Sequence, residues 1–137
     1  MAIKGNFTTG ALSVTAHNGD DAISVSRDAA GQILINGGAI SVQGDQPTLV
    51  NTREIDVFGG NGNDTISLDN IAPPAGQALP TAHLYGGNGN DSITGGAGND
   101  ILDGGNGNDT VVGGKGNDMA SLGAGNDYVH LEQRRWQ

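Results

Sequence analysis

Residues 86 to 130 are five consecutive nonapeptides, GGNGNDSIT, GGAGNDILD, GGNGNDTVV, GGKGNDMAS and LGAGNDYVH, with no residue gained or lost between them. A strict nine-residue clock constrains the fold more than any overall composition. Each unit has to sit in the same surroundings as the next, as in a solenoid of stacked units. A sixth copy, GGNGNDTIS, stands alone at 59–67, and Gly59 to Gly86 is 27 residues, three whole periods. The intervening segment 68–85 then fills two unit lengths with non-repeat sequence. This reads as one full coil with a bulged loop at Pro73, Pro74 and Pro80.

Outside the repeats, residues 1–58 carry short β-branched runs, 22–26, 32–36, 39–43 and 54–58, separated by Gly, Asn and Asp turn signals. These read as strands, and no window supports an amphipathic helix. Asn18-Gly19 and Asn36-Gly37 read as two-residue hairpin turns. The stretch NGDDAIS (18–24) imitates a repeat, with Asp21 in the sixth place, but it lacks the leading glycines. The chain carries 15 acidic against six basic residues, a formal net charge of −9. That argues against nucleic acid and anionic membranes as partners and favours a cation. Only Glu54 and Glu132 are glutamates, so the acid is overwhelmingly the short Asp, placed by position. There is no cysteine, so a bound metal must be a hard one held by oxygen. No apolar run approaches bilayer length and no apolar leader opens the chain, so neither membrane insertion nor classical export is expected.

The pattern G-G-x-G-x-D-x-U-x, with U apolar, resembles the RTX or hemolysin-type calcium-binding repeat. The resemblance covers 59–67 and 86–130. It implies an all-β parallel β-roll, a right-handed β-solenoid in which the first six residues of each unit turn, the last three form a strand, and two units complete a coil. It also implies a secreted, extracellular protein exported by type I secretion without an N-terminal signal peptide.

The residues support a calcium reading on their own. Glycines at positions one, two and four permit positive φ and let carbonyls crowd around a point, and the Asp at position six reaches that point with a carboxylate. Such a hard-oxygen cage suits Ca2+, with its six to eight flexible ligands, better than Mg2+. The expected carboxylate ligands are Asp64, Asp91, Asp100, Asp109, Asp118 and Asp127. The expected backbone ligands are the carbonyls of Gly87, Gly89, Gly96, Gly98, Gly104, Asn106, Gly113 and Lys115. The apolar eighth residues, Ile66, Ile93, Leu102, Val111 and Val129, are expected inside. With two repeats per coil, Asp91, Asp109 and Asp127 stack on one edge and Asp100 and Asp118 on the other, with Asp64 on the second edge if 68–85 completes a coil. Three complete sites follow.

Leu122 replaces the first glycine of the last repeat, which predicts strain if that position needs positive φ. Ala120 is a small residue for position eight. Asp56, Asp69 and Asp103 fall off the motif and read as solvated face residues. His17, His83 and His130 lack catalytic or zinc-motif neighbours, and no nucleophile elbow or phosphate loop occurs. The expectation is a strand-rich cap (1–58), a calcium roll with an insertion at 68–85 (59–130) and a tail (131–137) in one structural domain. It is a calcium-binding module without catalysis whose folding is coupled to the ion. Rival expectations are an accessory roll of a larger secreted enzyme, or a surface that adheres to acidic polysaccharide or to itself.

Overall fold

The computed structural model describes residues 3–71 and 78–132. The fold is all-β. Its strands are β1 (Lys4–Thr8), β2 (Ala11–Thr15), β3 (Ala22–Arg27), β4 (Ile33–Ile35), β5 (Val42–Gly44), β6 (Glu54–Asn61), β7 (Thr65–Asn70), β8 (Thr81–Asn88), β9 (Ser92–Ala97), β10 (Ile101–Asn106), β11 (Thr110–Lys115), β12 (Met119–Ser121) and β13 (Tyr128–His130). They form two sheets, one in the order β12-β10-β8-β6-β2-β1-β5 and the other β13-β11-β9-β7-β3-β4. From β6 onward consecutive strands alternate between the sheets, so each coil gives one strand to each. The pairing among these strands is parallel within each sheet.

Alternation along each strand builds the core. Val57, Leu84 and Leu102 of one sheet face Ile66, Ile93 and Val111 of the other, and all six side chains are fully buried. Their neighbours at positions seven and nine point out, as the two-residue period requires. The last coil differs, because among the described residues no further coil covers it. Val129, expected inside, is 40 % exposed, with Met119 and Tyr128 open beside it.

The strands are longer than the repeat implies. β9, β10 and β11 run through positions seven to nine and on through the two glycines to position three. The ladder continues there because Gly105 lies opposite Gly87 and Gly114 opposite Gly96. Only positions four to six turn.

The parallel ladder also reaches back before residue 59. β2 pairs with β6 through Leu12↔Ile55 and Val14↔Val57, and β3 pairs with β7 through Ile23↔Ile66. Asn18-Gly19 is therefore not a hairpin. Asn18 bridges Asn61 in parallel, as one roll turn stacks on the next. Asn36 and Gly37 do adopt positive φ, in a short turn that brings Ile40 back beside Ile35. Genuine hairpins join β1 to β2 through Thr9 and Gly10, both at positive φ, and β3 to β4 through residues 28–32. β1, β4 and β5 then cover the first coil, with Phe7, Ile33 and Ile35 buried against it.

The bulged loop expected at Pro73 and Pro74 lies outside the described residues. Its length still has a visible effect. β7 to β9 and β6 to β8 are in direct register, Ile66 opposite Ile93 and Gly60 opposite Gly87. The 27 residues from Gly59 to Gly86 thus make one coil with nine extra residues, not one and a half coils.

Candidate calcium turns

That register moves Asp64. It stacks on Asp91, on the first edge, and not with Asp100 and Asp118. The Asp64 amide donates to Asp91 Oδ1 at 2.7 Å, Asp91 to Asp109 Oδ1 at 2.8 Å and Asp109 to Asp127 Oδ1 at 2.9 Å. On the second edge the Asp100 amide donates to Asp118 Oδ1 at 3.0 Å, and Asp100 itself accepts from the Ala82 amide at 3.3 Å. The structure brings all six expected carboxylates into these two columns.

Each column uses one oxygen of every carboxylate and leaves the other bare. Oδ2 of Asp64, Asp91, Asp100, Asp109 and Asp118 is buried and has no hydrogen-bond partner, and Asp64, Asp91, Asp100 and Asp109 are at most 2 % exposed. Those of Asp64, Asp91, Asp100 and Asp109 point into small cradles whose opposite wall is a carbonyl, whereas the wall opposite Asp118 is the Leu131 side chain. A Cβ on Gly86 would collide with Asp91 Oδ2 and lie 2.6 Å from Gly104 O. One on Gly95 would lie 2.7 Å from Asp100 Oδ2 and 2.6 Å from Gly113 O, and one on Gly59 2.5 Å from Asp64 Oδ2 and 2.6 Å from Gly86 O. Two acceptors facing each other in a buried pocket, with no donor, call for a cation or a proton.

The electrostatics agree. Burial, opposed in part by the backbone hydrogen bond and reinforced by neighbouring acids, raises the Asp64 and Asp91 carboxyls above their ordinary range. Asp100 is raised to about 7, first by burial and then by Asp118. The donor set is carboxylate and carbonyl oxygen only, which fits calcium in type.

The expected backbone donors divide. Gly104 O and Gly113 O line cradles, as do Gly86 O and Leu122 O, which the sequence did not single out. The carbonyls of Gly87, Gly89, Gly96 and Gly98 lie directly beneath Gly105, Gly107, Gly114 and Gly116 of the next coil. Asn106 O and Lys115 O accept from the Gly89 and Gly98 amides at 2.8 and 2.9 Å.

The glycines also act differently by position. Positions two and four have positive φ throughout, for example Gly87 at 114° and Gly89 at 129°. Gly59, Gly86, Gly95, Gly104 and Gly113, at position one, do not. Their lack of a side chain keeps the cradle open. Leu122 likewise has no positive φ, and its side chain packs partly buried against the core.

The structure also reveals a turn that sequence reasoning half saw. Residues 16–24, AHNGDDAIS, stack on 59–67 with the contacts of a regular repeat. The Asp21 amide donates to Asp64 Oδ1 at 2.8 Å, the Asn63 amide to Asp20 Oδ1 at 2.7 Å and the Thr65 amide to Asp21 O at 2.8 Å. Asn-Gly at positions three and four, Asp at six, Ile at eight and Ser at nine were the available signal. Ala16 and His17 in place of the paired glycines obscured it. Asp21 differs chemically from the others, because its Oδ2 accepts from the His17 amide at 3.1 Å. Sequence reasoning also missed two asparagine ladders. Asn106 donates to Asn88, Asn88 to Asn61 and Asn61 to Asn18. The Oδ1 atoms of Asn63, Asn90 and Asn99 accept the position-five amides of the following coils.

Comparison with known families is consistent with this geometry. The family described as "RTX calcium-binding nonapeptide repeat (4 copies)" matches residues 56–70, 83–111 and 103–133. No curated protein and no solved structure matches the chain. The matched segments are the stacked turns that carry the bare carboxylate oxygens, and over those residues the chain carries RTX-type calcium-binding nonapeptide repeats.

Proposed function

We propose that this chain is a secreted module whose folding is coupled to calcium, leaving the cell unfolded by a type I route and closing into the roll outside. The five buried carboxylate oxygens without a donor carry the reading. Closing the turns without an ion stacks carboxylates a strand spacing apart, about 4.8 Å, in pockets that offer them nothing positive. A calcium ion held between successive turns, by the position-six carboxylates and the carbonyls around them, turns that repulsion into attraction. Each coil buries only a couple of medium apolar side chains, which alone do not offset the entropy of ordering so much glycine.

The residues before 59 take the part of a cap and template. Asp21, with its own backbone donor from His17, needs no ion to close its turn, and Phe7, Leu12, Val14, Ile23, Val25, Ile33 and Ile35 give that end a larger apolar core. No catalytic role is proposed.

A calcium titration of the metal-stripped full chain, followed by far-UV circular dichroism with magnesium as control, tests the coupling. A steep gain of β signal with calcium alone is expected. A chain equally β-rich in chelator, with no response to calcium, would overturn it.

A further inference from the structure

We propose that Glu54, Asp56 and His83 form a binding site for a divalent transition-metal ion of the zinc class, on the outer face of the seven-stranded sheet and separate from the calcium turns. The turns lie at the ends of the strands. This cluster lies along β6 and β8, where Asp56 and His83 are direct ladder partners and Glu54 precedes Asp56 by two residues on the same face.

His83 Nδ1 sits 3.1 Å from Glu54 Oε1 and 3.2 Å from Asp56 Oδ1. One ligand atom from each residue lies within 4.8 Å of the other two. A tetrahedral ion with bonds of about 2.0–2.2 Å places its ligands roughly 3.3–3.5 Å apart, so the two nitrogen–oxygen distances need to grow by only a few tenths of an ångström. In the calcium-loaded roll the parallel ladder holds them there before a transition-metal ion arrives.

The chemistry selects the ion. Imidazole nitrogen suits zinc, copper, nickel and cobalt, whereas calcium takes oxygen. With neutral imidazole the cluster carries two negative charges, matching a divalent cation. Without the ion, Nδ1 has at most one proton to share between two carboxylates. The flanking ladder partners, Ala11 and Ser13 on one side and Ile101 on the other, bring no charge. The side chains of His83, Glu54 and Asp56 are 24 %, 43 % and 25 % exposed, which leaves the remaining coordination position open to water or an external ligand.

The test is isothermal titration of zinc into the calcium-saturated full chain, with His83→Gln as the comparison and the visible spectrum of added cobalt as a coordination readout. One equivalent of zinc with a tetrahedral cobalt spectrum is expected, weakened about tenfold or more in His83→Gln with the calcium-dependent circular dichroism unchanged. The proposal falls if zinc does not bind the calcium-saturated chain or if the variant binds it equally well. Should His83→Gln fail to fold in calcium, the imidazole nitrogen shifts of the unmodified protein decide. A zinc-induced shift at His83 Nδ1 supports the site, and shifts confined to His17 or His130 overturn it.

Discussion

Replacing Asp91 by Asn should stabilise the metal-free roll and destabilise the calcium-loaded one. Asp91 is buried between Asp64 and Asp109, and its carboxyl is raised by burial and by both neighbours. At a strand spacing near 4.8 Å each neighbouring pair repels by about 3 kcal/mol at an effective dielectric of 20. Solvent screening in the metal-free turns lowers the net relief from removing the charge to about 2 kcal/mol. Asn keeps the oxygen that accepts from the Asp64 amide and turns an amide donor into the cradle that Gly104 O lines. With calcium the sign reverses, because Asp91 borders the gaps toward both Asp64 and Asp109. Losing two sites held at ten times their dissociation constant removes about 3 kcal/mol. The assay is far-UV circular dichroism during trimethylamine N-oxide titration in chelator, paired with urea titration in calcium. The variant should need less osmolyte to fold in chelator and less urea to unfold in calcium. A shift in the same sense under both conditions would refute the charge-repulsion account of these turns.

Two further outcomes follow from the same geometry. Gly86→Ala should cost roughly 1–3 kcal/mol by overpacking and abolish the ion beside Asp91, whereas Leu122→Gly should retain calcium stoichiometry and cost only about 1 kcal/mol of packing; equal calcium loss in both would refute the steric role of position one. Asp100 is raised to about 7 from 3.8, so the folded state binds more protons between those values and metal-free stability falls as pH rises from about 4 to 7. Three units set a ceiling near 4 kcal/mol, which solvent screening reduces to about 2. In osmolyte that keeps the metal-free roll folded, calcium replaces that proton, so binding at pH 6 should release more protons than at pH 8, measured in buffers of different ionisation enthalpy. The same release at both pH values would count against the assignment.

Much of the site was legible because its causes are local. The positive φ of Gly87 and Gly89 and the reach of Asp91 to its own turn are properties of one nonapeptide, and nine-residue periodicity repeats them at Asp100, Asp109 and Asp118. Burial of Ile66, Ile93, Leu102 and Val111 was equally readable from alternation. The edge on which Asp64 stacks was not, because counting whole periods cannot tell a coil from a coil with an excursion. The turn at 16–24 was obscured for a related reason. Ala16 and His17 break the local pattern, yet hydrogen bonds from 43 residues away hold Asp21 in the same place.

By itself, the sequence determined that this chain is all-β, that its array repeats without slippage, and that carboxylates recur where carbonyls gather, while the resemblance implied two repeats per coil. Tertiary structure alone decided which carboxylates meet, why the first glycine must lack a side chain, where the stack begins, that Val129 lies open at its end, and that His83 faces Glu54 and Asp56. The division has a physical cause. Backbone conformation and side-chain reach are set within a few residues, whereas register between coils is set by hydrogen bonds whose partners lie 18, 27 or 43 residues apart, across insertions whose length the repeat does not encode.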